Sequence, residues 1–445
     1  MESYSCEMRI RCYDYPISIR IFVSIRNSYC MRQSNLFTKT RKEVPSDEVA
    51  KNAQLLIRAG YIHKEMAGVY SFLPLGLRVL NKIVGIIREE INAIGGQEIF
   101  LTSLQDPEIW KKSNRWSDDV VDNWFKTKIN NGGEVGLGFT HEEAMVRLMK
   151  EHIQSYRDLP RFIYQFQTKF RNEERAKSGI LRTREFLMKD LYSFSSTEAE
   201  HTAFYEKVKD AYGRIFKQAG IGDKTLLTFA SGGSFSKYSH EFQTISESGE
   251  DTIFVDEQKH IAVNKEVLLP EVLKELAVNK EDLVEKKAIE VGNIFSQGTR
   301  FSEALGLSFK NEQGNDAFAI MGAYGIGPAR VMGTIVELLS DEKGLVWPES
   351  VSPFKVHLVS VPGTDGKAQK EADTLYKKLL AEGIEVLYDD RDLRAGEKFA
   401  DSDLLGIPTR VVVSEKTMRA GKLEVKDRKT GDISMLRELE LLETI

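Results

Sequence analysis

The spacing of apolar residues changes near residue 350, and this change constrains the fold more than any other feature of the sequence. Over residues 354–414, apolar runs and amphipathic segments alternate in the order strand, helix, strand, helix, strand. Because this alternation is typical of a parallel sheet, we predict a separate α/β domain over residues 352–445. In the preceding part, residues 31–348, strand and helix patterns do not alternate in this regular way. A length of 445 residues accommodates both domains.

The larger N-terminal part mixes helical and strand patterns. Residues 75–93 and 198–219 have apolar side chains at helical spacing. Residues 162–170 and 185–194 have the character of strands joined by a polar loop, which predicts an antiparallel pair. Residues 256–287 are rich in Lys, Glu, Leu and Val and contain no glycine, so we interpret them as a short, mostly helical insertion.

The first 30 residues differ from the rest, because they contain all three cysteines: Cys6, Cys12 and Cys30. This placement excludes a disulfide framework or a cysteine-rich zinc site in the body of the chain. We expect translation to begin at Met31, which makes residues 1–30 an extension of doubtful status. The four arginines of this extension leave an organellar leader as the alternative.

Net charge and hydropathy exclude two broad classes of protein. The chain has 62 basic and 67 acidic residues, which rules out a polybasic nucleic-acid coat and leaves a local basic groove open. No segment approaches the ~20 apolar residues of a membrane helix. We therefore expect a soluble protein without a membrane partner.

The common loops for binding phosphate are missing from the sequence. Residues 363–368 lack the spacing and the hydroxyl of a Walker loop, and no dinucleotide fingerprint follows a predicted strand. Neither His141 nor His240 belongs to an HExxH pair, which argues against a zinc hydrolase. Any phosphate site in this chain must therefore be built from arginines.

Residues 161–190 have the composition of such a site, with eight basic and four acidic residues. A guanidinium binds phosphate oxygens in pairs, so Arg171 and Arg182 could hold a triphosphate from two sides. Glu173 is expected on the same strand face as Arg171, and Phe186 offers a flat surface for a purine ring. A solvated hairpin with alternating charges is the alternative.

A second pattern, A-Y-G-I-G-P-A-R over residues 323–330, leads into an apolar helix predicted over residues 331–339. Glycines such as Gly325 and Gly327 before a helix let a ligand approach the backbone, and the helix N-terminus favours anions. Arg330 would lie in the first turn. A tight strand-to-helix turn accounts for the same pattern equally well.

Together these patterns carry a resemblance. R-x-E, a loop, R-x-x-x-F-x-x-x-D and a later G-Φ-G-x-x-R resemble motifs 2 and 3 of the class II aminoacyl-tRNA synthetases. T-H-E-E (140–143), R-E-F-L-M-K-D (184–190), S-H-E-F (239–242) and Y-G-I-G (324–327), in this order, are similar to the prolyl-tRNA synthetase family of bacterial type. The resemblance covers nearly all of the chain from Met31 onward.

The resemblance implies a mixed α/β (α+β) fold, with an antiparallel-sheet catalytic domain and a C-terminal α/β anticodon-binding domain. It implies a cytoplasmic homodimer that uses ATP and Mg²⁺ to join L-proline to tRNA(Pro), and we assign no metal-ligating residue. Many bacterial relatives have a long editing domain between motifs 2 and 3, where this chain has only residues 256–287. Because a proline pocket rejects the smaller alanine by only ~1–3 kcal/mol, a chain without editing would retain alanyl-tRNA. We expect no editing in cis.

The family's ATP contacts are carried over to five residues. Arg171 is expected to contact the α-phosphate and the substrate carboxylate, and Arg330 the γ-phosphate from the opposite side. Glu173 would hold the adenine side, Arg182 the outer phosphates, and Phe186 would stack on adenine.

The family's amino-acid pocket is carried over in the same way. Thr140 and Glu142 are expected to line it, because a carboxylate suits the secondary ammonium of proline. His240 would close the pocket beside Phe186 and Met188.

The C-terminal domain contains D-D-R-D-L-R-A-G-E-K-F over residues 389–399, where family members read anticodon bases. Arg391, Arg394 and Lys398 are the candidates, with a plain structural turn as the alternative for each. The domain has 16 basic and 18 acidic residues over 352–445, so its RNA recognition must be local.

The sequence also departs from the family pattern. Thr102 stands where motif 1 usually has proline, in the region expected to form the dimer, and Ala323 stands where motif 3 usually has Ser or Cys. Three other functions remain open: a synthetase-like binding module without catalysis, a sister synthetase for another small amino acid, and a stand-alone editing protein. The presence of all the ATP-binding motifs argues against the first and the third.

Overall fold

The computed structural model describes residues 6–8, 19–21, 30–174, 176, 178–232, 238–361, 363 and 365–445. Most of the N-terminal extension, residues 1–30, lies outside the described residues, whereas Met31 itself is described. None of the helices in the described ranges combines the length and the apolar character needed to cross a membrane.

The described ranges contain 12 α-helices and 24 strands, numbered here in chain order. The helices are α1 (Lys51–Arg58), α2 (Pro74–Ala93), α3 (Pro107–Lys112), α4 (Glu142–Met149), α5 (Glu198–Gln218), α6 (Pro270–Glu275), α7 (Arg300–Leu305), α8 (Pro328–Leu339), α9 (Lys367–Ala381), α10 (Ala395–Leu405), α11 (Glu415–Arg419) and α12 (Glu438–Thr444). The strands up to the middle of the chain are β1 (Cys6–Met8), β2 (Ile19–Ile21), β3 (Cys30–Arg32), β4 (Ile62–Met66), β5 (Val69–Phe72), β6 (Gln97–Glu98), β7 (Leu104–Gln105), β8 (Lys126–Lys128), β9 (Glu134–Leu137), β10 (Arg161–Phe170), β11 (Glu185–Ser195) and β12 (Thr225–Ser231). The remaining strands are β13 (Tyr238–Ile245), β14 (Asp251–Asp256), β15 (Ile261–Asn264), β16 (Val284–Gly298), β17 (Ser308–Lys310), β18 (Asp316–Phe318), β19 (Ile320–Ile326), β20 (Val356–Ser360), β21 (Val386–Asp389), β22 (Thr409–Val413), β23 (Leu423–Asp427) and β24 (Ile433–Leu436).

A nine-stranded, mainly antiparallel sheet forms the centre of the N-terminal part, in the order β13-β12-β15-β14-β16-β19-β11-β10-β6. Strands β10 and β11 pair antiparallel over ten residues each, from Arg161 opposite Phe194 to Phe170 opposite Glu185, which confirms the predicted pair. Strand β11 also pairs with β19, so the two sequence patterns with the candidate arginines meet on neighbouring strands.

The interpretation of residues 256–287 as a mostly helical insertion is wrong. Within it, α6 is six residues long, whereas β15 and the ends of β14 and β16 belong to the large sheet. An additional pairing of β13 with β16 closes strands β12–β16 on themselves. β-Branched residues such as Val263 and Ile289 are buried there and favour strands, although the Lys- and Glu-rich composition favours helix.

The main core lies between this sheet and helices α2, α5 and α8, all three of which were predicted. Pro74 in the first turn suits the start of α2, since proline has no N–H to leave unpaired there. Ile83, Ile87 and Ile91 follow at helical spacing and are buried. These helices pack against the large sheet.

The C-terminal part contains a second sheet, in the order β24-β23-β22-β20-β21-β3. Strands β20, β21 and β22 are parallel, as the alternation of strands and helices predicts. β23 and β24 extend it antiparallel, and β3 adds a parallel strand from the other end of the chain. The start of the segment assigned to the catalytic domain therefore pairs with the C-terminal sheet.

Side-chain contacts join the two parts of the molecule. The hydroxyl of Tyr61 donates to the carbonyl of Leu405 at 2.7 Å and accepts from Trp347 Nε1 at 3.1 Å, and all three residues are buried. Arg428 donates to both carboxylate oxygens of Asp341 at 2.7 Å. A paired fork of this kind fixes orientation as well as distance.

Candidate active site

A cavity lies on the large sheet, bordered by β11, β16, β19 and the start of α8. It contains ten of the eleven residues predicted for the ATP and proline sites: Thr140, Glu142, Arg171, Glu173, Arg182, Phe186, Met188, Gly325, Gly327 and Arg330. The structure therefore brings Arg171 and Arg330, 159 positions apart in the sequence, to one cavity.

Arg171 follows directly after β10, and its guanidinium carbon lies 5.0 Å from the ring of Phe139 and 5.4 Å from that of Phe186. Its Nε is buried without a hydrogen-bond partner among the described residues. Burial lowers the pKa of Arg171, and the charge of Arg330 lowers it further. A guanidinium with a buried Nε and no ion-pair partner among the described residues favours an anionic ligand.

Arg330 lies in the first turn of α8 and is held by the protein itself. Its Nε donates to the carbonyl of Leu181 at 2.9 Å. Its Nη1 donates to the carbonyl of Glu290 at 2.9 Å and to the carboxylate of the same residue at 3.1 Å. These contacts fix the fork at the edge of the cavity, where the N-terminus of a twelve-residue helix also favours negative charge.

Arg182 is paired with two carboxylates. Its Nε lies 3.0 Å from Glu173 and its Nη1 lies 2.8 Å from Glu250. The expectation that Glu173 shares a strand face with Arg171 is wrong, because β10 ends at Phe170 and the N–H of Glu173 donates to the carbonyl of Arg171 in a turn. Both residues nevertheless line the cavity.

Gly325 and Gly327 stand where the protein itself does not require glycine. Neither has a positive φ. Among the described residues, a Cβ at Gly325 would meet only Met188 Sδ at 3.8 Å, and one at Gly327 only the Cβ of Arg330 at 3.5 Å. Because the surrounding protein would tolerate a side chain, the space these glycines leave is available to a ligand.

Thr140 and Glu142 form a buried polar pair in the cavity. The Thr140 hydroxyl donates to Glu142 Oε2 at 2.6 Å, and Glu142 is 3% exposed. Gln297 Nε2 donates to the other carboxylate oxygen at 3.4 Å, and Arg115 Nη1 lies 3.5 Å from Glu142 Oε2. The carboxylate is therefore oriented from two sides.

A cluster of buried charged residues lies next to the Thr140–Glu142 pair, and it was not predicted from the sequence. Arg115 is fully buried, and its Nη1 lies 3.1 Å from Glu143. Burial raises the pKa of Glu143 to about 7; the charge of Arg115 opposes this rise and that of Glu142 adds to it. No local signal marks Arg115, because its partners lie 27 and 28 positions further along the chain.

His141 is neutral and has a structural role. Its Nε2 donates to the carbonyl of Thr102 at 3.1 Å, and Nδ1 accepts from Lys169 Nζ at 2.5 Å. Burial, followed by the charge of Lys169, lowers the pKa of His141 to about 4. Lys169 in turn lies 2.8 Å from Asp190, one of the cavity residues. This chain of contacts fixes the start of α4 against the sheet.

His240 is the one predicted pocket residue that the structure does not bring to the cavity, so its expected place beside Phe186 and Met188 is wrong. Its Nδ1 lies 2.9 Å from the hydroxyl of Tyr205, and its ring packs against Phe229. On β13, His240 pairs with Phe229 of β12 on one side and with Ile294 of β16 on the other, and its ring contacts Tyr205 and Phe229 instead of the cavity residues.

A second group of cavity residues was also missed. Glu290, Gly292 and Asn293 come from β16, which no motif marked as strand. Asn293 Nδ2 donates to Glu290 at 3.0 Å and to Glu241 at 3.2 Å. Burial, followed by the charge of Glu290, raises the pKa of Glu241 to about 8. The E-V-G-N run was the available signal, because its acid and glycine precede motif 3.

No group of three or more His, Cys, Asp or Glu side chains suited to a metal ion is found within the ranges that the structure describes. Of the carboxylates that line the cavity, Glu142 is bound by Thr140, Glu173 by Arg182 and Asp190 by Lys169. Glu290, which lies next to Arg330, is more exposed than Glu173: their side chains are 32% and 14% exposed.

In the C-terminal part, the assignment of Lys398 to RNA binding is wrong. Lys398 is 0% exposed, and its Nζ donates to the carbonyls of Ser360 and Asp389 at 2.7 and 3.2 Å. Arg391 is half-buried and forms a fork with Asp389 at 2.9 and 2.7 Å. Arg394 is exposed at the N-terminus of α10 and remains a candidate.

Two family models match the chain: "tRNA synthetase class II core domain (G, H, P, S and T)" over residues 125–338 and "Anticodon binding domain" over residues 355–445. Together with the antiparallel sheet and its cavity, they define a class II aminoacyl-tRNA synthetase. The curated proline–tRNA ligase of Caulobacter vibrioides (strain NA1000 / CB15N) is 37% identical, and the match covers 90% of this chain and 96% of the relative. The chain belongs to the proline–tRNA ligase family.

Two further comparisons concern length and fold. The proline–tRNA ligase of Geobacillus sp. (strain WCH70) is 32% identical over 564 aligned positions, covering 93% of this chain and 99% of the relative. Because this chain has only 445 residues, that relative has segments without a counterpart here. The crystal structure of prolyl-tRNA synthetase from Cryptosporidium parvum complexed with halofuginone and AMPPNP has a TM-score of 0.74 at 17% identity, covering 88% of this chain and 75% of that one. This likeness shows the fold.

Proposed function

We propose that this protein activates L-proline with ATP and transfers it to tRNA(Pro), with the cavity on the large sheet as the site of both reactions. The observation that carries the proposal is the meeting of Arg171 and Arg330 in one cavity that also contains the buried Thr140–Glu142 pair. Two guanidinium groups suit a polyphosphate, and a buried carboxylate suits an ammonium.

The ATP would lie between the two arginines. Arg171 lines the cavity beside Phe186; in this proposal it contacts the α-phosphate while Phe186 stacks on the adenine. Arg330, anchored by the backbone carbonyls of Leu181 and Glu290, contacts the γ-phosphate from the other side. Arg182 binds the outer phosphates with the fork that Glu173 orients.

The proline would lie toward Thr140 and Glu142. Its secondary ammonium faces the Glu142 carboxylate, which Thr140 and Gln297 hold in place. Met188, which also lines the cavity, packs against the apolar ring of proline. The carboxylate of the amino acid then points at Arg171, next to the α-phosphate.

The reaction needs no protein nucleophile. A carboxylate oxygen of proline attacks the α-phosphorus, the bond to the bridging oxygen breaks, and pyrophosphate leaves with that electron pair. The terminal ribose hydroxyl of the tRNA then attacks the carbonyl carbon of prolyl-adenylate; the bond from that carbon to the phosphate oxygen breaks, and AMP leaves with the electron pair while its phosphate takes up the hydroxyl proton. Arg171 and Arg330 align the reactants and offset the charge that develops on the phosphates.

Mg²⁺ fits this site through Glu290. Mg²⁺ prefers one or two carboxylates together with substrate phosphates, and Glu290 is a partly exposed carboxylate in the cavity. When bound, the ion would offset charge on the pyrophosphate. Glu290 would then exchange its contact with Arg330 for the ion and free that fork for the γ-phosphate.

The oligomeric state and location are proposed as a cytoplasmic homodimer. Phe100 and Leu104, in the motif 1 region, are 77% and 57% exposed. Large apolar side chains exposed near one another favour a protein contact.

The chain would not edit alanyl-tRNA. Residues 256–287, where many relatives have the editing domain, contain β15 and the ends of β14 and β16, all strands of the large sheet, with α6 as a short helix. We expect purified protein to leave Ala-tRNA(Pro) intact over the time in which it charges proline. Deacylation at a rate well above spontaneous hydrolysis would contradict this.

ATP–pyrophosphate exchange across all twenty amino acids, followed by tRNA(Pro) charging, tests the proposed function. Exchange that depends on proline supports it. Exchange with another amino acid would identify a sister synthetase. No exchange with any amino acid would leave the binding module as the function.

A further inference from the structure

A second large groove lies in the C-terminal part, between the chain segment 33–42, here called the arm, and the segment 391–404. The arm follows β3, which pairs with β21 of the C-terminal sheet, and it precedes α1. We call the space between them the arm groove. It contains no residue of the cavity on the large sheet.

The arm is held at both ends, so the groove is preformed. Preceding it, Arg32 pairs with Asp373 at 2.8 Å and Asp390 at 3.0 Å. Gln33 Oε1 lies 3.0 Å from the buried ring of His357. The Thr40 hydroxyl donates to Asp401 at 2.6 Å. The arm therefore needs no ordering when a ligand binds, which favours affinity.

The arm side of the groove has an excess of uncompensated positive charge. Among the described residues, Lys39, Arg41, Lys42, Arg58 and Lys343 line the groove with no carboxylate within ion-pair distance. The Nε of Arg58 is also buried without a hydrogen-bond partner. Such a row of free cations on a net acidic protein suits a polyanion.

The opposite side of the groove, formed by the segment 391–404, carries carboxylates. Asp392 and Glu397 line it and have no cation partner among the described residues, whereas Asp401 is paired with Arg391 at 2.9 Å. Free carboxylates accept hydrogen bonds from the amino groups of bases. They would repel a ligand that is only a chain of negative charges, so a partner with both phosphates and bases fits best.

The arm also presents an exposed aromatic ring. Phe37 lies between Leu36 and Thr38, which both line the groove, and it is 76% exposed. An exposed phenyl ring among lysines and arginines is typical of surfaces that bind single-stranded nucleic acid, because unpaired bases stack on it.

We propose that the arm groove binds a single-stranded segment of the tRNA: Lys39, Arg41 and Lys42 hold its phosphates, and Phe37 stacks on an unpaired base. This inference rests on the proposed function, because that function makes tRNA(Pro) a substrate of the protein. The proposal assigns part of the RNA site to the arm, whereas the motif over residues 389–399 places the whole RNA site in the C-terminal domain.

The test compares two triple variants by direct binding of a tRNA(Pro) transcript and of its isolated anticodon stem-loop RNA. The groove variant is Lys39→Ala/Arg41→Ala/Lys42→Ala. The matched control removes three exposed, unpaired lysines outside the groove: Lys207, Lys217 and Lys224. Proline-dependent pyrophosphate exchange, which needs no tRNA, is measured on both variants as a check of folding.

We expect the groove variant to bind both RNAs at least tenfold more weakly, with exchange unchanged. The slope of log affinity against log salt should fall by about 2, because each lost phosphate contact on a single strand contributes ~0.7. The control triple should change neither quantity. Phe37→Ala should weaken binding about fivefold or more without changing the salt slope, because stacking is not a charge contact.

Unchanged affinity and salt slope in the groove variant would overturn the proposal. Competition by polyglutamate as effective as by the stem-loop RNA would also overturn it, and would indicate an acidic protein partner instead. Absence of proline-dependent exchange in the unmodified protein would refute the proposed function separately, because the stem-loop binding assay does not depend on it.

Discussion

Replacing Arg171 by alanine tests the proposed function most directly. The guanidinium of Arg171 is buried, lies near the charge of Arg330, and has an Nε without a partner. Removing one preorganised donor to a developing oxyanion lowers kcat by ~10²–10³, or ~2.7–4 kcal/mol. We therefore expect proline-dependent pyrophosphate exchange to fall at least a hundredfold in Arg171→Ala.

The same substitution should leave the fold almost unaffected. It removes cation–π contacts with Phe139 and Phe186, worth ~0.5–1 kcal/mol each. It also removes a desolvated charge that repels Arg330, which offsets part of that loss. The free energy of unfolding should thus change by about 1 kcal/mol or less.

The assay combines pyrophosphate exchange with thermal unfolding in the presence and absence of ATP. Added ATP should raise the melting temperature of the unmodified protein more than that of Arg171→Ala. Arg171→Lys keeps the charge without the fork and should recover only part of the activity. Near-normal exchange by Arg171→Ala would refute the role given to this residue.

Three further predictions concern Lys398, Gly325 and His141. Lys398→Met should lower the free energy of unfolding in urea by about 3 kcal/mol, because it leaves the carbonyls of Ser360 and Asp389 without their buried donor; an unchanged urea midpoint would contradict its structural role. Gly325→Ala should raise the KM for ATP in pyrophosphate exchange tenfold or more with no change in melting temperature, since the added methyl group enters the cavity, and an unchanged KM would show that no ligand approaches there. The folded pKa of His141 is about 4, below its usual value of about 6.5, so the stability from its neutral form is present above pH 6.5 and lost as the pH falls toward 4. The free energy of unfolding should fall between pH 7 and pH 4.5 in both proteins, but by about 2–3 kcal/mol less in His141→Gln than in the unmodified protein, as measured by urea titration. Equal falls in the two proteins would mean that His141 does not titrate in this range.

Several elements could be predicted from the sequence because their signals are local. The antiparallel pair of β10 and β11 shows strand character and a polar loop within about 35 residues. Helices α2 and α5 show apolar residues every third or fourth position. The alternation that predicts β20, β21 and β22 as parallel strands is also a property of consecutive segments.

Other features could not be predicted, because they depend on which distant segments become neighbours. The segment 256–287 has a helical composition, but the sheet around it offers strand partners, and tertiary pairing overrides propensity. Lys398 follows an arginine-rich run that resembles an RNA-binding surface, yet α10 turns its side chain toward the carbonyls of Ser360 and Asp389. His240 lies within a recognisable motif, but its ring contacts Tyr205 and Phe229 instead of the cavity residues.

The sequence by itself determined which residue types are available for the chemistry: Arg171, Arg330, Glu142 and the glycines at the start of α8, in the order that the family uses. The tertiary structure alone decided which of them share a cavity, that Glu290 holds Arg330, and that the arm at one end of the chain lines a groove at the other. The physical reason is the distance along the sequence over which each feature is encoded. Periodicity, turns and helix starts are encoded in neighbouring residues, whereas burial and charge pairing are set by contacts between residues hundreds of positions apart.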